Sequence, residues 1–172
     1  MDMKRLGAIA ALLVLAAGTA AAQGGLSAGR LGAGFGVSFP IGELSRSHAS
    51  GFNLGGTAEY EAPGQAMGIR GDLFYEHFAA KSGATEVKSA QAAAVIVNAI
   101  YHVQGSSLHS YLIGGMGLYR VTANGNSPGF NGGVGISIPL TGMTAYFEAQ
   151  LHKVLTENSS YLSLPITFGL SF

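Results

Sequence analysis

The sequence predicts an all-β fold: an eight-stranded antiparallel up-and-down transmembrane β-barrel. Three observations carry that prediction. The first is a period of two. In the last twelve residues, YLSLPITFGLSF, Leu162, Leu164, Ile166, Phe168, Leu170 and Phe172 share one face, and Ser163, Pro165, Thr167, Gly169 and Ser171 the other. The second is composition. Charged residues are 10% of the chain, against roughly 25% in soluble domains, and its 27 glycines are about double the usual share. The third is that beyond residue 22 no run of about 18 apolar residues occurs, so no transmembrane helix is expected. A chain this apolar, without an apolar helix, spreads its hydrophobicity over alternate strand positions, as a membrane barrel does.

The amino-terminal stretch predicts export. Lys4 and Arg5 precede an apolar run from Leu6 to about Ala17, and Ala20, Ala21 and Ala22 follow as small residues for cleavage. Residues 1–22 therefore read as a signal peptide, with an apolar segment too short to span a bilayer. Residues 23–172 then form one domain. The chain has no Cys, which excludes both a lipoprotein cleavage site and disulfides. Without Asp2, Lys4 and Arg5, seven basic and eight acidic residues remain. No basic stripe occurs, so a nucleic-acid partner is not expected.

The first strand, Leu31 to Phe39, alternates Leu31, Ala33, Phe35, Val37 and Phe39 with three glycines and Ser38. The second, Gly51 to Glu61, sets Phe52, Leu54, Ala58 and Tyr60 against Asn53, Thr57, Glu59 and Glu61. Ala62 to Gln65, with Pro and Gly inside, is a turn. The third, Met67 to Phe78, opposes Met67, Ile69, Leu73 and Tyr75 to Arg70, Asp72 and Glu76. The fourth, Gln91 to Val103, shows Ala93, Val95, Val97, Ala99 and Tyr101 against Asn98 and His102, although its AAAVIV also suits a helix start. In the fifth, His109 to Val121, two parities compete: Tyr111, Ile113 and Tyr119, or Leu112, Met116 and Leu118. The sixth, Gly129 to Ile138, follows a loop from Thr122 to Pro128 and sets Phe130, Val134, Ile136 and Ile138 against Asn131, Gly133, Gly135 and Ser137. The seventh, Thr144 to Val154, sends Ala145, Phe147, Ala149 and Leu151 opposite to Glu148, Gln150 and His152. The eighth is Tyr161 to Phe172. Its Pro165 lacks an N–H, so a bulge or a missing ladder bond is expected there.

Connections after the odd strands run to about eleven, twelve, seven and six residues, and the others to about five, so long loops gather on one rim and both termini on the other. Aromatic residues at strand ends form two expected belts. Tyr60, Tyr101, Tyr111 and Phe172 belong to the rim of the termini, and Phe39, Phe52, Tyr75, Tyr119 and Phe130 to the opposite rim. That assignment turns the tyrosines of the fifth strand outward.

AGFGVSF, SYLIGGMGLY, GFNGGVGISIP and LPITFGLSF, in this order behind a signal peptide, resemble the small eight-stranded OmpA/OmpX-like outer-membrane β-barrel family over nearly the whole of residues 23–172. The resemblance implies location in the cell outer membrane. It makes Phe172 part of an assembly signal for the barrel assembly machinery, and makes outer-membrane lipids and lipopolysaccharide the surroundings of a monomer.

The polar face carries Glu59, Arg70, Asp72, Glu76, Glu148, Gln150 and His152, with Asn53, Asn98 and Asn131. Eight strands enclose only enough room for side chains, so these residues predict a packed polar lumen, not a pore. Arg70 is expected to bridge Asp72, Glu59 or Glu148, since buried charges need partners. A structural envelope role follows, with no enzymatic activity, cofactor or metal. The alternatives are an outer-leaflet lipid-binding or lipid-modifying barrel, or a soluble lipocalin-like carrier, which would turn the charges outward. For hydrolysis the best combination is His152 and Glu148 with Ser159 or Ser160. Arg46, His48, Lys81 and Lys88 in the longer loops are candidates for adhesion or lipopolysaccharide contact.

Overall fold

The computed structural model describes residues 29–61, 64–81, 88–103, 109–122, 125–156 and 160–172. The expected signal segment, residues 1–22, lies outside them. Within them the alternating stretches form β1 (Gly29–Ile41), β2 (Gly51–Glu61), β3 (Met67–Phe78), β4 (Ala90–His102), β5 (His109–Val121), β6 (Gly125–Leu140), β7 (Met143–Leu155) and β8 (Ser160–Ser171), with one short helix, α1 (Leu44–Ser47). The eight strands pair antiparallel in sequence order, and β8 returns to β1, giving a closed barrel. Phe172 completes the closure, since its backbone N–H donates to Leu31 O at 2.8 Å and Leu31 N–H donates to Phe172 O at 3.0 Å. No helix among the described residues is long and apolar enough to cross a membrane.

The registers set the shape. Stepping between ladder partners from Leu31 through Ala58, Gly71, Val97, Met116, Phe130, Lys153 and Leu162 returns to β1 at Ile41, ten residues further along. For eight strands that stagger tilts each by about 40° to the barrel axis. It leaves an interior that side chains fill.

Apolar side chains face out along every strand. Phe35, Ile69, Val95, Met116, Leu118, Val134 and Phe147 are all exposed, while Asn53, Arg70, Asp72, Glu76, Asn98, Asn131, Glu148, Gln150 and His152 are buried. A soluble carrier has the reverse polarity. Tyr60, Tyr101 and Phe172 are exposed at the rim of the chain ends, and Phe39, Phe52 and Phe130 towards the other. Tyr75 is half-buried, its ring 6.1 Å from that of Phe52.

Strand β5 corrects the expected belts. Tyr111 and Tyr119 point inward, at 5% and 1% exposure, while Leu118 faces out at 67%. The cause is space and hydrogen bonding. Tyr111 lies opposite Gly135 in the ladder, where a Cβ would overlap the phenol ring, and a Cβ on Gly129 would crowd Tyr119 at 2.7 Å. Inward glycines thus vacate the volume that the rings fill, and each hydroxyl finds a buried partner that lipid could not supply.

Two other features are local: a difference at the start of β6, and the missing ladder bond expected at Pro165. Strand β6 begins at Gly125 rather than Gly129, because Asn126, Ser127 and Pro128 pair with Arg120, Tyr119 and Leu118 of β5. Ladder pairing overrides the turn preference of that segment. At Pro165 the β7–β8 ladder passes from Ala149↔Ile166 to His152↔Ser163 with its register unchanged, so bonds are missing there without a bulge. The turn into β7 uses Gly142 at φ 78°, a conformation that glycine adopts without strain.

Candidate functional site

The inward side chains form layers along the lumen. At the rim of the chain ends, Arg30 Nη2 donates to Glu59 Oε1 at 2.5 Å and to Glu61 Oε2 at 2.7 Å, and His102 Nε2 meets Glu61 Oε1. Arg30 and Glu59 are ladder partners on β1 and β2. Glu59, Glu61 and His102 bring potential metal-ligating atoms within 4.8 Å of one another, but the Arg30 guanidinium already engages both carboxylates.

The middle layer crosses the barrel. Arg70 on β3 reaches Glu148 on β7, four strands away on the opposite wall. The fork is bidentate, with Nη1 to Oε2 at 2.8 Å and Nη2 to Oε1 at 2.9 Å. The same guanidinium contacts Asp72, from Nε to Oδ1 at 2.8 Å and from Nη2 to Oδ2 at 3.1 Å. Two carboxylates on one planar cation are the arrangement guanidinium geometry suits best. Around this centre Tyr111 OH donates to Glu148 at 2.8 Å and Asn98 Nδ2 to Asp72 at 2.8 Å. Asn131 Nδ2 donates to Asn98 and Gln150, and Gln150 Nε2 to Glu148. Glu59 is not part of this cluster, since Arg30 holds it one layer below. Cavities of about 30 Å³ lie on either side of Arg70, each room for roughly a water molecule and too small for a lipid or a sugar.

Above the centre, Glu76 Oε1 accepts from Tyr161 OH at 3.0 Å and from Ser163 Oγ at 2.8 Å. Tyr119 OH and His152 Nδ1 lie 3.2 Å apart, and Phe74 packs on the imidazole with ring centres 4.7 Å apart. The proposed hydrolytic combination is therefore not assembled among the described residues. His152 is paired with a tyrosine, and Ser159 and the Ser160 side chain lie outside them. The far end of the lumen is apolar, filled by Phe78, Ile96, Tyr119, Val121, Val154 and Tyr161.

Over that end, two of the four loop candidates, His48 and Lys81, hold loop structure. His48 is buried, with Nδ1 2.9 Å from Ser47 Oγ and Nε2 3.1 Å from Lys88 O. Lys81 Nζ donates to Ser45 O at 2.6 Å. They tie the segment after β1 to the one after β3, where His48 and Ala80 also bridge. Residues 82–87 lie outside the described residues.

Sequence reading missed Arg30, which lies just before the first clear alternation, and the inward tyrosines Tyr146 and Tyr161. The signal was present: inward Gly34 and Gly169 sit where Cβ atoms would strike Tyr146.

No family model and no curated protein sequence matches this chain. Solved structures do. Neisserial surface protein A superposes with a TM-score of 0.66 at 18% identity, over 86% of this chain and 97% of its own. The Yersinia pestis outer membrane protein Ail in a phospholipid nanodisc gives 0.56 at 10% identity, over 85% of this chain and 100% of its own. Ail in complex with the heparin analogue sucrose octasulfate gives 0.50 at 15% identity, covering 84% and 99%. The chain thus has the fold of the small eight-stranded outer-membrane β-barrels, apolar outside and packed with paired polar groups within.

Proposed function

We propose that this protein is an integral outer-membrane barrel with a structural role in the envelope. In this reading residues 1–22 direct export and are removed, Phe172 serves the assembly machinery, and the finished barrel is a monomer among outer-membrane lipids and lipopolysaccharide. The observation that supports it most is the sorting of side chains: an apolar exterior around a lumen whose charges bridge opposite walls through Arg70 and Glu148. A lumen plugged in this way favours a scaffold over a channel. No cofactor or catalytic centre enters the proposal.

The test is gel mobility in SDS of the outer-membrane fraction, boiled against unboiled. A closed ladder with every strand paired resists SDS until heated, so the unboiled protein is expected to migrate at a different position. Recovery from the soluble periplasm with no shift would refute the membrane reading. In planar bilayers the folded protein is expected to pass no steady current, and a stable conductance would refute the plug.

A second reading, binding of a sulfated or phosphorylated saccharide by the outer loops, draws on the sucrose octasulfate complex of Ail. It is weakened here because His48 and Lys81 hold loop backbone.

A further inference from the structure

The strand charges are sorted by face and by sign. Each carboxylate of the described strands, Glu59, Glu61, Asp72, Glu76 and Glu148, points into the lumen. Among the Lys and Arg residues of those strands, Arg120 on β5 and Lys153 on β7 face outward, and both are exposed. Both lie near the rim opposite the chain ends, and neither has an ion-pair or side-chain hydrogen-bond partner among the described residues.

Strand β6 runs between them. Arg120 pairs with its Asn126 and Lys153 with its Phe130, and Asn126, Pro128 and Phe130 are all exposed. Two strand spacings and a four-residue offset along β6 put the two Cα atoms roughly 16 Å apart. Below this band, towards the middle of the barrel, the exterior is apolar, with Leu118, Met116 and Leu151 exposed.

We propose that this face seats a phosphorylated glycolipid of the outer leaflet. Its phosphates lie against Arg120 and Lys153, its sugar covers Pro128 and Phe130 beside the Asn126 amide, and its acyl chains run down Leu118 and Leu151. A lipid-facing cation is costly at the midplane and cheap at the interface, and it gains most where a phosphate accepts charge-assisted hydrogen bonds from it. Both cations stand at that boundary, on the two strands that flank β6, with no inward or lateral acid among the described residues to neutralise them. A separation of roughly 16 Å between the two Cα atoms suits two phosphates on one headgroup better than a single phosphate.

This proposal rests on the outer-membrane reading, and one experiment separates the two. The protein is reconstituted in zwitterionic phospholipid nanodiscs doped with a diphosphorylated glycolipid or with its dephosphorylated form, and retained lipid is measured by native mass spectrometry. Wild type is expected to retain the phosphorylated lipid about tenfold better than the dephosphorylated one, the scale of one or two charge-assisted hydrogen bonds. R120Q/K153Q is expected to lose that preference while keeping its heat-dependent gel mobility, and R120K with Lys153 intact to keep both. Equal retention by R120Q/K153Q overturns the proposal. So does equal retention of the dephosphorylated lipid by wild type, or competition by the acyl-free diphosphorylated headgroup as strong as by the lipid. Should the double variant lose its gel shift, R120Q and K153Q taken singly decide, each expected to reduce the preference. If wild type itself shows no gel shift, it is the membrane reading that fails.

Discussion

Replacing Arg70 by Ala is expected to destabilise the folded barrel by about 3–5 kcal/mol, the cost of leaving a buried partner charge uncompensated. The substitution strands two carboxylates at once, Asp72 and Glu148, both buried and both held by the one guanidinium. It also removes the link between β3 and β7 across the lumen. The measurement is the urea midpoint in detergent micelles, followed by unboiled gel mobility and far-UV circular dichroism. Most of the loss comes from the orphaned acids rather than from the missing attraction. R70A/E148A is therefore expected to be more stable than R70A alone, and that non-additivity is the signature of a coupled pair. R70K should recover little, because an ammonium cannot fork to Glu148 while also meeting Asp72. An R70A midpoint equal to wild type would remove the central layer from any account of stability.

The second large effect is expected at Gly135. A Cβ there overlaps the ring of Tyr111, so Gly135→Val should cost about 1–3 kcal/mol through overpacking of a filled lumen. It also disturbs the 2.8 Å bond from Tyr111 OH to Glu148, which ties this substitution to the Arg70 centre. G135V/Y111A should be more stable than the sum of its parts predicts, since the smaller residue releases the clash. Gly132 provides the contrast. It faces outward, where a Cβ would meet only Ile113 O at 3.9 Å, and Gly132→Val is expected to stay within about 0.5 kcal/mol of wild type. The same urea midpoints read out all three, and equal effects at Gly132 and Gly135 would show that inward space is not what the glycine provides.

Strand order, closure and the outward face of seven strands were legible in the chain alone. A membrane barrel must show lipid a greasy residue at every second position, so a period of two is written into each strand. The pairs that fill the lumen carry no such period. HSYLIGGMGLYRV supports two opposite faces equally well, and only the register that brings Tyr111 opposite Gly135 turns the tyrosines inward. Arg70 could be marked as the central cation from its strand position, but its choice of Glu148 over Glu59 depends on which wall lies across the lumen and on Arg30 claiming Glu59 first. The apolar plug of Phe78, Tyr119 and Tyr161 was likewise invisible, since its members come from three strands: Tyr119 reads as an outward belt residue, and Phe78 and Tyr161 continue the faces that carry Glu76 and Ser163. Outward positions answer to the bilayer, a uniform solvent that each strand meets independently. Inward positions answer to one another, and closure of the barrel decides which of them meet.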